Sequence, residues 1–215
     1  MRSFVVLGIG RFGESVAKTL YESGYEVLAI DHNEEIIQNM SEWVTHAVVG
    51  DVTDEHVLKS LGIRNFDVAI VAIGGNMESS ILVTLLLKEL GVKYILAKSQ
   101  NELHAKVLSR VGADRVIFPE RDMGIRVAYN LVSTNILDYI ELSPDYSIVE
   151  ITVPEKWEGK TLKELDVRAK YGINIMAIKK DSEINIAPRA EDAIRKDDIL
   201  VVIGSNEDLN NLDKK

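Results

Sequence analysis

Apolar positions form short unbroken runs in the first part of the chain and an alternating pattern in the last, and the change marks two kinds of sheet. Runs rich in Val, Ile and Leu recur at Phe4 to Gly8, Glu26 to Asp31, His46 to Gly50, Val68 to Ile73, Tyr94 to Lys98 and Val116 to Phe118. A parallel strand buried on both faces by crossover helices requires such continuous apolar runs. Helical segments lie between them, beginning near Arg11, Glu34, Asp54, Met77, Glu102 and Arg121. Several open with Asn, Asp or Ser in capping positions. The expectation is a Rossmann-like, doubly wound α/β sheet.

Two helices carry more apolar surface than one buried face needs. The segment from Met77 to Leu90 spreads Ile81, Leu82, Val83, Leu85, Leu86, Leu87 and Leu90 around more than one face. From Met123 onward, Met123, Val127 and Leu131 form one stripe and Ile125, Ala128, Val132 and Ile136 another. Two stripes call for two covers: a second copy of the chain, or a position between this chain's own domains.

After Tyr139 the pattern shifts. Ser143-Pro144-Asp145 reads as a turn, and Ile148, Ile151 and Val153 punctuate a polar strand from Ser147 to Val153. A short helix is expected near Thr161 to Leu165, with strands at Ile173 to Lys179, Glu183 to Ala187 and Ile199 to Gly204, then a polar helical tail. Lys180-Asp181-Ser182 reads as a hairpin turn. The chain therefore divides into a nucleotide-binding-type domain over 1–138, crossover helix included, and a smaller α+β domain over 139–215. The second is of a size that suits a sensor or dimerisation module.

Composition narrows the function. Cysteine is absent, which excludes a disulfide framework, a thiolate metal site and a cysteine nucleophile. A net charge of −9 and a pI near 5.0 oppose binding to nucleic acid or anionic lipid, which needs a basic patch. The first residues run straight into a strand pattern, with no room for a secretory signal. The most apolar stretch, Ile81 to Leu87, is bounded by Ser80 and Lys88 and falls well short of the roughly 20 residues a membrane span needs. The expectation is a cytoplasmic protein whose link to a membrane runs through a partner.

Gly8-Ile9-Gly10-Arg11-Phe12-Gly13 fits G-x-G-x-x-G between a strand and a helix, the context that gives the pattern its meaning. Gly8 permits the tight turn, Gly10 lets backbone approach a phosphate, and Gly13 allows close packing of helix on strand. Asp31 ends the second strand, 18 positions after Gly13. A carboxylate there accepts hydrogen bonds from ribose hydroxyls and repels a 2′-phosphate. Arg11 puts a cation inside the turn, suited to a terminal phosphate or simply solvated. Asp51 ends the third strand, on the adenine side or as a helix cap with Thr53 and Asp54. Gly74 and Lys98 stand at the ends of the fourth and fifth strands. Phe12 of the turn, His32 beside Asp31 and Thr53 beside Asp51 complete the candidate nucleotide contacts. Glu120, after Pro119 at the end of the sixth strand, is placed for a metal bridging phosphates or is a plain surface acid.

Catalytic constellations are missing. Tyr94 and Lys98 match Y-x-x-x-K, but on a strand that spacing spreads the side chains roughly 13 Å apart. His32, His46, His56 and His104 form no i, i+4 metal pair and read as satisfied structural histidines. No G-x-S-x-G, H-E-x-x-H or Walker A pattern occurs. The reading is binding without turnover, with an NAD-dependent oxidoreductase of unrecognised catalytic residues as the alternative.

The glycine turn is accompanied by Leu61-Gly62-Ile63-Arg64-Asn65-Phe66-Asp67, Thr84-Leu85-Leu86-Leu87-Lys88-Glu89-Leu90, Gly112-Ala113-Asp114-Arg115, Pro119-Glu120-Arg121-Asp122-Met123-Gly124 and Val167-Arg168-Ala169-Lys170-Tyr171-Gly172. With these segments the chain resembles the regulator of potassium conductance (RCK) subunits of Ktr- and Trk-type potassium uptake systems, from Phe4 to its tail. The resemblance implies a homo-oligomer, dimers paired through the crossover helix and assembled into an octameric ring beneath an integral membrane potassium channel subunit. It implies ATP or ADP at the glycine turn, with NAD(H) in some members, and control of K+ flux by exchange of the two nucleotides. It assigns Gly8, Gly10 and Gly13 to phosphates, Asp31 to ribose and Arg11 to a terminal phosphate. It also places a divalent cation or sodium near Glu120 at the dimer interface. In some relatives the C-terminal domain binds cyclic di-AMP, and Val167, Arg168, Ile175 and Pro188 occupy the matching region. Arg168 suits a phosphate or an ion pair with Asp166.

Overall fold

The computed structural model describes residues 2–132, 136–180 and 183–212. The chain forms two compact units, Met1–Glu120 and Arg121–Lys215.

In the first unit six strands alternate with helices: β1 (Ser3–Leu7), α1 (Arg11–Glu22), β2 (Glu26–Asp31), α2 (Glu34–Met40), β3 (His46–Val49), α3 (Glu55–Ser60), β4 (Val68–Val71), α4 (Met77–Glu89), β5 (Ile95–Lys98), α5 (Glu102–Val111) and β6 (Arg115–Ile117). All pairings are parallel, in the order β3-β2-β1-β4-β5-β6. Successive residues of one strand enter different cores. Val5 and Leu7 pack with Leu58, Val83, Leu87 and Leu108 of α3, α4 and α5, whereas Val6 packs with Ala17, Ile37 and Met40 of α1 and α2. Each such fully buried side chain contributes about 1.5–3 kcal/mol, so a polar residue at either kind of position is selected against. That is why these strands read as unbroken apolar runs.

Side-chain caps set the helix starts. Asn33, Asp54, Asn76 and Asn101 accept from backbone amides of α2, α3, α4 and α5. Asp54, not Asp51, caps α3. On α4, Ser80, Val83, Thr84 and Leu87 are buried while Leu82 and Leu85 are exposed. His104 on α5 is wholly buried, but its Nε2 has no hydrogen-bond partner among the described residues, so it is not the satisfied histidine that was expected.

Helix α6 (Pro119–Val132) carries Met123, Ile125, Val127 and Leu131 exposed on the single chain. The stripe expected to end at Ile136 stops earlier. Ile136 instead opens β7 (Ile136–Ser143) and pairs with Ile151 of β8 (Tyr146–Thr152) around the expected turn at Pro144 and Asp145. The helical spacing 125, 128, 132, 136 was coincidental, because the residues from Ile136 on satisfy an antiparallel ladder.

The second unit continues with α7 (Leu162–Leu165), α8 (Val167–Tyr171), β9 (Asn174–Lys180), β10 (Glu183–Asn185), β11 (Ile199–Ser205) and α9 (Asn206–Asn210). Its sheet is antiparallel, in the order β10-β9-β11-β8-β7. One face packs Val149, Ile151, Ile178, Leu200 and Val202 against Trp157, Leu165, Val167 and Leu209, the alternation expected of a sheet covered on one side. Thr161 and Glu164 form a reciprocal capping box at α7. Lys180 pairs with Glu183 across the expected hairpin, whose Asp181 and Ser182 lie outside the described residues. Strand β10 ends at Asn185 rather than Ala187, because the Asn185 side chain accepts the Ala187 amide and turns the backbone away.

Candidate functional site

The sheet order reverses between β1 and β4, and the loops leaving these strands diverge to open a crevice at their carboxyl ends, where open α/β sheets bind ligands. Its volume is about 510 Å³. Gly8, Gly10, Asp31, His32, Asp51, Thr53 and Gly74 of the candidate set line it, together with Asn33, Ile36, Val52, Ile73, Asn76 and Ser79.

The three glycines of the turn do different work. Gly8 has φ 91° and donates its amide to the Ile30 carbonyl at 2.9 Å. A Cβ on Gly13 would lie 2.0 Å from the Gly8 carbonyl oxygen, so this position holds helix against turn and does not line the crevice. Gly10 is the N-cap of α1, with no side-chain cap, and a Cβ there would meet nothing within 4 Å. The open space at Gly10 and the uncapped first-turn amides fit an anionic phosphate, which satisfies such groups.

Asp31 is buried, and its carboxylate is braced from both sides. Oδ2 accepts the Ile9 amide at 2.7 Å and Oδ1 the Asn33 amide at 2.9 Å. The acid expected to hold ribose thus also ties the glycine turn to the end of β2. Asp51 accepts both the amide and the hydroxyl of Thr53, at 2.9 and 2.7 Å. Those bonds, the hydroxyl's first, hold its carboxyl below the usual carboxylate range. It lines the crevice and shapes its own loop at once.

Arg11, Phe12, Lys98 and Glu120 gather beside the crevice and do not line it. The Lys98 ammonium, on a largely buried side chain, pairs with the exposed Glu120 carboxylate and lies 5.9 Å from the Phe12 ring centroid. A Cβ on Gly74 would sit 3.5 Å from it. Hydrogen bonding from Lys98, and more weakly the charge of Arg11, hold the Glu120 carboxyl below its ordinary value. Among the described residues no group of three His, Cys, Asp or Glu side chains could cage a metal. One chain therefore presents a single, already paired carboxylate at Glu120, which does not amount to a metal site by itself.

In the second unit Val167 is buried and Ile175 packs partly against the same core, Pro188 is half-buried and Arg168 exposed. No ion pair joins Arg168 to Asp166 among the described residues. Of these four, Arg168 is the exposed, charged one.

The TrkA-N domain matches residues 4–119 and the TrkA-C domain residues 147–215. Ktr system potassium uptake protein C of Bacillus subtilis is 53% identical over 214 residues, covering 100% of this chain and 97% of that protein. Ktr system potassium uptake protein A of the same organism is 50% identical over 97% of this chain and 94% of its own length. Its namesake in Vibrio alginolyticus is 36% identical, over 98% and 96%. Among solved structures, the GsuK channel bound to NAD superposes with a TM-score of 0.69 at 21% identity, covering 99% of this chain and 39% of that one, a likeness of fold. No helix among the described residues is long and apolar enough to cross a membrane.

Proposed function

The chain belongs to the TrkA-N/TrkA-C family, and from that membership we propose that it is the nucleotide-sensing regulatory subunit of a Ktr-type potassium uptake system. The observation that carries the nucleotide half of this reading is the crevice at the β1/β4 switch point, with open space over Gly10 at one end and the braced Asp31 carboxylate at the other. A polyphosphate takes the α1 amides, a ribose takes Asp31, and the purine lies among Ile36, Val52 and Thr53.

ATP and ADP differ by one terminal phosphate, and Arg11 and Lys98 supply cationic charge beside the turn. A ligand moves a two-state assembly only by its difference in affinity for the two states. ATP is the activating ligand and ADP the inactivating one, NAD(H) a competitor for the same crevice. Homodimers pair through α6, whose exposed Met123, Ile125, Val127 and Leu131 need a cover, and assemble into an octameric ring on the cytoplasmic face of an integral membrane potassium channel subunit. The functional boundary at 138/139 keeps α6 with the nucleotide lobe. A cation at Glu120 draws one ligand from this chain and its others from phosphate, water or a second copy. Cyclic di-AMP meets Arg168 in the C-terminal domain. The relatives are named as potassium uptake proteins, and the crevice supports binding rather than hydride transfer.

Dissociation constants for ATP, ADP, NADH and cyclic di-AMP, native mass with each, and K+ flux through the reconstituted channel subunit test the reading. ATP and ADP should compete for one site per chain and set opposite flux levels. Equal flux with both nucleotides would overturn the switch.

A further inference from the structure

Beyond the glycine turn the crevice is walled by the loop after β4, where Gly74, Gly75, Asn76 and Ser79 line the space. Two adjacent glycines give this wall more conformations to lose than any other dipeptide would, and a Cβ on Gly75 would meet nothing within 4 Å. Among the described residues, one hydrogen bond reaches the two glycines from elsewhere in the fold: the Gln100 side-chain amide donates to the Gly74 carbonyl. A carbonyl can only accept, so the nitrogen of that amide is the atom facing it. Gln100 acts from a fixed base. Its neighbour Ser99 is buried and donates its amide to the Ile117 carbonyl at 2.8 Å and its hydroxyl to the Asn101 carbonyl at 2.7 Å. The Gln100 backbone amide donates to Nδ1 of the buried His104 at 3.4 Å, and Asn101 caps α5. The corner between β5 and α5 is thus set by the core, and Gln100 carries its position across to a glycine loop with no such anchor of its own.

Strand order gives that loop its place along a ligand. The sheet runs β3-β2-β1-β4 across the crevice, with Val52 and Thr53 past β3, Asp31 at the end of β2, Gly10 past β1 and Gly74 past β4, at about 4.8 Å per strand. A purine, ribose and first phosphate laid over β3, β2 and β1 end at the glycine turn. Anything further, the outer phosphates of ATP or the second nucleoside of a dinucleotide, meets the Gly74 loop. We propose that Gln100 is a positioning residue for that outer part: by holding the Gly74 carbonyl it presets the wall over β4, so that a longer nucleotide does not have to order two glycines on binding. The proposal rests on the reading of this crevice as the nucleotide site and adds to it a residue that separates long nucleotides from short ones.

The test is titration calorimetry of the full chain with AMP, ATP and NADH in magnesium-free buffer, on the wild type and on Gln100→Met, which keeps the length of the side chain and removes its donor. Both partners of the hydrogen bond are exposed, so water replaces part of it and the loss is modest. The dissociation constants of ATP and NADH should rise about two- to fivefold, while that of AMP and the denaturant midpoint stay at their wild-type values. A merely structural tie would move the midpoint, or all three ligands alike. If AMP weakens as much as ATP and NADH, or if none of the three changes on substitution, Gln100 does not position the outer wall while the site stands. If the wild type binds none of the three, the site reading falls and the proposal with it.

Discussion

The Ile9 amide donates to Asp31 Oδ2 at 2.7 Å, across 22 positions of sequence. This bond joins the glycine turn after β1 to the end of β2, so a single buried carboxylate sets the turn's position and is also the group proposed to meet a ribose. Asp31→Ala removes the acceptor of two amides and the sugar's partner together. Hydrogen bonds to a charged group contribute about 1.5–3 kcal/mol each. ADP affinity should fall at least about tenfold and the melting temperature should also drop. Unchanged melting with lost affinity would show that the brace is dispensable.

Gly10 and Gly13 are both glycines of one motif, but the space around them separates their roles. Gly13→Ala drives a methyl into the Gly8 carbonyl, whereas Gly10→Ala places one in the open crevice with an ordinary φ of −76°. The first should cost roughly 1–3 kcal/mol, the range of overpacking, and appear in denaturant unfolding. The second should leave unfolding within about 0.5 kcal/mol of wild type and raise the dissociation constant for ATP and ADP. Reversed effects would mean that phosphate does not lie over Gly10.

Much of this was legible in the chain itself, and the parts that were not have physical reasons. The six parallel strands announced themselves because both faces of each are buried, and Asp31 because its distance from the glycine turn is fixed by one βαβ unit. Ile36 and Val52 line the crevice as ordinary apolar residues with no local mark of it. The Lys98–Glu120 pair depends on the β5–β6 register, Lys98 opposite Ile117, which no local pattern encodes. Helix α8 went unseen because Asp166, at φ 43°, turns the chain between α7 and α8 in a conformation non-glycine residues seldom adopt. The strand at Ile136 was hidden because three apolar residues before it happened to keep helical spacing.

Burial, with no partner at Nε2 among the described residues, favours the neutral ring of His104 and lowers its pKa from the ordinary 6.5. Below that value the unfolded chain binds a proton that the folded chain resists, so this group's contribution to stability is complete above about pH 6.5 and is lost as the pH falls. The difference in unfolding free energy between wild type and His104→Leu should therefore change in the variant's favour on acidification from about pH 7 to about pH 5. A difference that stays constant across that range would place the proton elsewhere.

Lys98 and Glu120 neutralise each other beside the turn. The ammonium lies close to Gly74 at the crevice wall, and weakening its pairing with the carboxylate leaves more of its charge to a terminal phosphate. Glu120→Gln weakens that restraint without removing volume, and an exposed carboxylate contributes at most about 1 kcal/mol to such a pair. In magnesium-free buffer ATP should bind Glu120→Gln up to about fivefold more tightly than wild type, with ADP little changed because it lacks the terminal group. Lys98→Met should do the reverse, weakening ATP more than ADP. Competition binding with a fluorescent adenine nucleotide reads both. Should the two variants shift ATP and ADP equally, the pair would be a structural tie between β5 and α6, and discrimination between the nucleotides would have to rest on Arg11.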